Sequence, residues 1–116
     1  MNKHKLKEYI LIEIMNYKTP VPTEPTVGIP WDDERVTKEL SEMKECLVEP
    51  YKNTFVIAKT NKSYSDAEGY VVAEDNGFKM FFEPSEDIFY LASKTKDGKW
   101  ITFGIEGNPV DVFLSR

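Results

Sequence analysis

The sequence predicts an α+β fold, a meandering antiparallel β-sheet of about five strands with one or two N-terminal helices packed on one face. Three observations lead there. Residues 33–46 carry an apolar stripe at helical spacing; from residue 54 onward short apolar runs alternate with turn residues; and 116 residues with 41% apolar and 13% aromatic side chains supply enough for one core. A chain of this length buries about 65% of its unfolded surface in a single domain. The expected organisation is one domain over residues 1–116, with 1–4 as a mobile tail and 18–30 as a proline-rich strap.

Leu6, Tyr9, Ile10, Ile14 and Tyr17 lie near helical spacing, which favours a helix over residues 5–16, while the alternation of Ile10, Ile12 and Ile14 keeps a strand as the competing assignment. Pro20, Pro22 and Pro25, then Gly28 and Pro30, fix φ and withhold backbone donors, so this segment reads as an extended connector. Asp32 is positioned to cap a helix over 33–46, and Asp33 and Glu34 complement the positive end of its dipole. Val36, Leu40, Met43 and Leu47 form its stripe, Glu39, Glu42 and Glu45 lie off it, and Pro50 is expected to stop it. Residues 54–58, 69–73, 78–82, 88–92 and 100–105 read as strands and the polar stretch 60–68 as a loop. Asn76-Gly77 reads as a hairpin turn with positive φ values, followed by turns at 84–87 and 96–98. Connections this short join antiparallel neighbours. Residues 110–115 fit an edge strand or a short closing helix.

One histidine and one cysteine exclude most of the chemistry that side chains run near neutral pH. His4 lies among Lys3, Lys5 and Lys7, and Cys46 ends the second helix, so no Cys–His pair, His-containing triad or His/Cys metal cluster can be assembled within one chain. Cys46 reads as a small core residue. The glycines are scattered at turns and form no phosphate-binding loop, and the oxygen-rich runs at 66–69 and 75–77 lack the alternating ligands of a calcium loop. The expectation is no catalytic residue, no metal and no cofactor. Glu83 with Glu86, or Asp66 with Glu68, would suit a small carboxylate-dependent carbohydrate-processing enzyme, but such a site needs a deep cleft that a short-turned meander has little chain to build.

Charge points instead to a partner. The net charge is −5, and residues 31–90 hold 14 acids against 7 bases. That sign disfavours direct nucleic-acid binding and favours a basic partner. The candidate contact residues are Asp66, Glu68, Glu74, Asp75, Glu86 and Asp87, which fall in loops and turns of a rigid sheet, with Trp31, Tyr64 and Trp100 as aromatic anchors where they are exposed. No apolar run reaches the roughly 20 residues of a membrane span. Ile10-Leu11-Ile12 is broken by Glu13 with no cleavage site following, so a cytoplasmic protein without membrane contact is expected.

A capped helix after Ile29-Pro30-Trp31-Asp32-Asp33, then Leu47-Val48-Glu49-Pro50-Tyr51 leading into strands, an acidic hairpin from Tyr70 to Tyr90, and Gly104-Ile105-Glu106-Gly107 before Val110-Asp111-Val112-Phe113 form an order of features. In that order the chain resembles the small immunity proteins of bacterial polymorphic-toxin and contact-dependent growth inhibition systems. The resemblance implies a protein that neutralises a cognate toxin by stoichiometric 1:1 binding as a monomer. Many such toxins are nucleases with basic clefts, to which an acidic surface would be steered electrostatically. A non-catalytic subunit of a cytosolic complex is the other class of binding protein that the same residues fit.

Because one His and one Cys furnish neither a structural metal site nor an intrachain disulfide, chelator and reductant are each expected to leave Tm unchanged. A thermal melt with and without excess EDTA checks this; a lower Tm in chelator would reveal an oxygen-ligand site.

Overall fold

A computed structural model of the chain describes residues 3–17, 33–58 and 64–115. The proline-rich strap, Trp31 and the Asp32 cap lie outside the described residues. The elements are α1 (Lys3–Asn16), α2 (Asp33–Cys46), β1 (Leu47–Ala58), β2 (Tyr64–Asp75), β3 (Phe78–Glu83), β4 (Ile88–Lys94), β5 (Trp100–Thr102), β6 (Glu106–Gly107) and α3 (Pro109–Leu114). The fold is α+β, with a meandering sheet as expected, and α1 takes in Lys3 and His4 of the predicted tail.

Burial decides α1. Leu6, Ile10 and Ile14, spaced one helical turn apart, are 0–3% exposed, whereas Ile12 is 44% exposed, so the alternation that suggested a strand has no buried face to serve. In α2, Val36 and Met43 are buried and Leu40 is half-buried; Glu39 and Glu42 are half-buried as well, at the flanks of the stripe. The helix ends at Cys46, but the chain continues directly into β1, and Pro50 lies within that strand rather than beyond a helix. A proline cannot donate to a ladder. It is accommodated because the β1–β2 register shifts between Leu47 and Tyr51.

β2 begins at Tyr64, five residues earlier than the apolar pattern suggested. Ser65 and Ala67 are half-buried while Asp66 and Glu68 are exposed, so the polar residues that read as a loop are the outer face of a strand. A second bulge follows, with Val71 opposite Phe81 and Ala73 opposite Met80, which leaves Val72 as the extra residue. The β2–β3 hairpin turns at Asn76-Gly77 as expected, between the paired Asp75 and Phe78; Gly77 takes φ 81°, but Asn76 does not take the positive φ expected of it.

Each strand from β1 to β5 is antiparallel to the next. Five alternating strands leave the first and last pointing the same way, and β1 pairs β5 in parallel through Val56↔Ile101 and Ile57↔Thr102. With β3 paired to β4, the order β3-β2-β1-β5-β4 closes into a ring, where the turn lengths alone had suggested an open sheet. Closure encloses an inner face, and the helices cover the outer face along β3, β4 and the second half of β2. Phe55, Val71, Phe81, Tyr90 and Ala92 fill the inside, with the Phe55 and Phe81 rings stacked at 4.4 Å. Val72, Met80, Phe82, Phe89 and Leu91 point outward, into the layer formed with Leu6, Ile10, Met43, Val110 and Phe113 of the helices. Gly69 is required by this closeness, since a Cβ there would lie 2.4 Å from the Phe82 carbonyl oxygen.

Residues 110–115 resolve as helix. Asn108 caps α3 by accepting from the Asp111 amide at 2.9 Å, Pro109 occupies the first turn, and Val110, Val112 and Phe113 are buried. Replacing Met43, 0% exposed in the outer layer, with Ala is expected to destabilise the protein by about 2–5 kcal/mol. Leu40→Ala should cost less because Leu40 is half-buried, an order that urea denaturation of the two variants checks.

Candidate functional site: an acidic barrel mouth

The barrel has two unlike ends. At one end Lys79 reaches inward from β3. Its Nζ donates to the Tyr51 hydroxyl at 2.9 Å, lies 3.7 Å from Glu74 Oε1, and sits 4.7 Å from the Trp100 ring centroid. The Tyr51 hydroxyl donates to Glu74 in turn. Trp100 packs against the Phe55–Phe81 cluster, so it closes this end of the core and is not an exposed anchor. Glu74, expected at a partner surface, is engaged by its own chain here. Asp75 shares the same hairpin, away from the other candidate acids.

The opposite end is open. β6 pairs β4 through Tyr90↔Glu106 and Phe89↔Gly107, along the edge to which β5 pairs further on, whereas β1 stops at Ala58. Between these elements lies a cleft of about 790 Å³, with Ile57, Ala67 and Tyr90 among its apolar walls. Its lining includes Asp66, Glu68, Glu83, Glu86 and Glu106, and no Lys, Arg or His among the described residues. The recess is open rather than deep. Asp66, Glu68 and Glu86 are brought together as candidates, with Tyr64 66% exposed at the start of β2. Asp87 lies one residue beyond Glu86 and closes the β3–β4 turn at φ 57°, a conformation that a non-glycine residue holds at some cost.

Glu83, Tyr90 and Glu106 also line the cleft and were not among the candidate partner-binding residues. Glu83 is 9% exposed and its carboxylate is fully engaged, Oε1 accepting from the Ser85 amide at 3.0 Å and Ser85 Oγ at 2.6 Å, Oε2 from the Glu86 amide at 2.6 Å. Burial alone would raise its pKa; these hydrogen bonds outweigh burial and hold it below the usual glutamate range. The Tyr90 phenol is pushed up by burial and by Glu106, which it also hydrogen-bonds, with Glu83 and Glu86 adding to the effect. The signal in the sequence was Glu83-Pro84-Ser85-Glu86, a carboxylate followed at two and three residues by amides that a turn aims back at it. Glu106 carried no such signal, because its place depends on β6 pairing with β4.

The cleft is thus an acidic recess with a phenol–carboxylate pair, Tyr90 and Glu106, in its wall. Among the described residues there is no group of three His, Cys, Asp or Glu side chains arranged to hold a metal ion, and no helix long and apolar enough to cross a membrane. Proton donation to a sugar bond calls for a carboxyl with a raised pKa, and Glu83 is shifted the other way. No protein-family model, curated protein or solved structure matches the chain.

A depressed pKa stabilises the fold above the unfolded-state value near 4.5, and that contribution is lost as pH falls through the lower folded value. Glu83→Gln is expected to lose about 1–2 kcal/mol at neutral pH, since a neutral amide accepts the Ser85 and Glu86 donors less strongly. The difference between the two proteins should shrink as pH drops below 4.5. Urea titrations at neutral and acid pH check it; a constant difference would mean that Glu83 is not the ionised acceptor.

Proposed function

We propose that this chain is a binding protein that receives a basic protein surface at the acidic barrel mouth, and that the partner is a cognate toxin, a nuclease, which it neutralises by stoichiometric blocking. One observation carries the reading: five acidic residues border a single cleft with no base among its described lining residues, although Asp66 and Glu68 come from the outer face of β2 and also border recesses that contain Lys99 and Lys52. The mouth's formal charge equals the −5 of the whole chain, so the remainder of the molecule balances to zero. A field concentrated in one recess orients an approaching basic partner as well as attracting it. The identity of the partner as a toxin rests on the resemblance in element order; its basic character rests on the mouth. Glu83, with its pKa lowered and both oxygens engaged by Ser85 and Glu86, is unsuited to donate a proton to a sugar bond, and it contributes to the mouth as a fixed charge.

The test is co-expression with the product of the adjoining gene, purification of any complex, and association rates at two salt concentrations. Reversing Asp66, Glu68 and Glu86 to Lys should slow association at least tenfold and flatten its salt dependence, with Tm nearly unchanged because all three side chains are exposed. Capture of an acidic partner, or rates indifferent to the reversals, would sink the proposal.

A further inference from the structure

β5 and β6 run along one edge of β4 as a single interrupted strand. Ser93 pairs Ile101, and the Leu91 amide donates to the Ile105 carbonyl at 3.1 Å, so three residues, Thr102, Phe103 and Gly104, stand opposite Ala92 alone. The excess chain is expelled as a bulge, with Gly104 at φ 93°. Thr102 is left fully buried, its Oγ1 without a hydrogen-bond partner. Phe103 goes outward and is 68% exposed.

That exposure is the anomaly. A phenyl group has no polar atom to justify a place in water, and every other described phenylalanine but Phe78, at 36%, is no more than 3% exposed. Phe103 is also not isolated. Gly104, its neighbour, lines the acidic cleft; Ile105 is 36% exposed; and Tyr64, 66% exposed, pairs with Ala58 one position past the Ile57↔Thr102 pair that leads into the bulge. Apolar and aromatic surface therefore stands on the lip of a recess whose walls are carboxylates.

We infer that Phe103 is the anchor of a docking surface on this lip, and that its occupant is a basic, extended segment of a protein partner, which lays an apolar side chain on Phe103 and directs an Arg or Lys into the mouth. The choice of occupant follows from charge complementarity with Asp66, Glu68, Glu86 and Glu106. It rests on the proposed basic partner and adds where the contact is centred. The exposed Leu11, Ile12 and Met15 of α1 form the other apolar group, but the cleft lining includes no residue of that helix. Covering an exposed phenyl strengthens binding about ten- to hundredfold.

The probe is a blocked synthetic peptide of alternating Arg and Leu, with a Glu–Leu peptide of the same length as its control, each titrated into the labelled full chain and followed by NMR. The Arg–Leu peptide should shift the amides of Phe103, Tyr64 and Glu106 and saturate, while the Glu–Leu peptide should not. Phe103→Ala should weaken the Arg–Leu peptide tenfold or more at unchanged Tm, whereas Met15→Ala should leave it unaffected. Binding of the basic peptide that is indifferent to Phe103→Ala overturns the anchor and leaves the acidic-mouth reading standing. Binding of neither peptide, or equal binding of both, overturns the two together.

Discussion

The short parallel pairing of β1 with β5 is the constraint on which the rest of the structure depends. Two register pairs, Val56↔Ile101 and Ile57↔Thr102, turn a five-stranded meander into a ring. With closure, β3 and β4 must bury both faces, which is why Met80 through Glu83 and Phe89 through Ala92 are unbroken buried runs. The inward residues need no partner layer because they meet one another. The outward ones need the helices, and α1, α2 and α3 supply a cover for that side. Because the pairing is so short, β1 and the β5–β6 chain part company beyond it, and the mouth opens where they separate.

The two ends of the barrel solve the same electrostatic problem in opposite ways. Lys79 carries a cation into a partly buried place, and the chain answers it internally, with the Tyr51 and Trp100 rings and the Glu74 carboxylate around one ammonium. Little field remains there to act on a partner. At the mouth Glu83 is satisfied by hydrogen bonds from two amides and one hydroxyl, none of which removes its charge. Its negative charge therefore adds to those of Asp66, Glu68, Glu86 and Glu106. The same count of acids spread over the surface would confer little direction.

Local patterns were legible where one turn of chain decides the outcome. The stripe of α2, the Gly77 and Gly98 turns and the strand cores were all visible as short-range spacing. Asn108-Pro109-Val110-Asp111 also carried a helix-start signal, an N-cap residue with Pro at the first position and an acid at the third, though the apolar alternation of Val110 and Val112 obscured it. What sequence could not supply was pairing between distant segments. Ser65 to Glu68 is strand only because β1 lies beside it, and Glu106 belongs to the mouth only because β4 accepts β6. Trp100 and Glu74 were assigned outward for the same reason, since nothing local announces that Lys79 reaches them across the barrel.

In the proposed complex, the acids and the exposed ring act at different stages. Carboxylates at a solvent-facing mouth draw a basic segment from a distance and are screened by salt, so their influence falls on the rate of encounter. A phenyl ring exerts no long-range force; it matters only after contact, when covering it removes apolar surface from water, and so it governs how long the complex lasts. The exposure of the ring traces to one local event, the expulsion of Phe103 and Gly104 opposite Ala92. Without that bulge, Phe103 would take its place in a regular strand beside β4. The buried Thr102 hydroxyl, at the last residue before the bulge, has no hydrogen-bond partner, a cost to the fold.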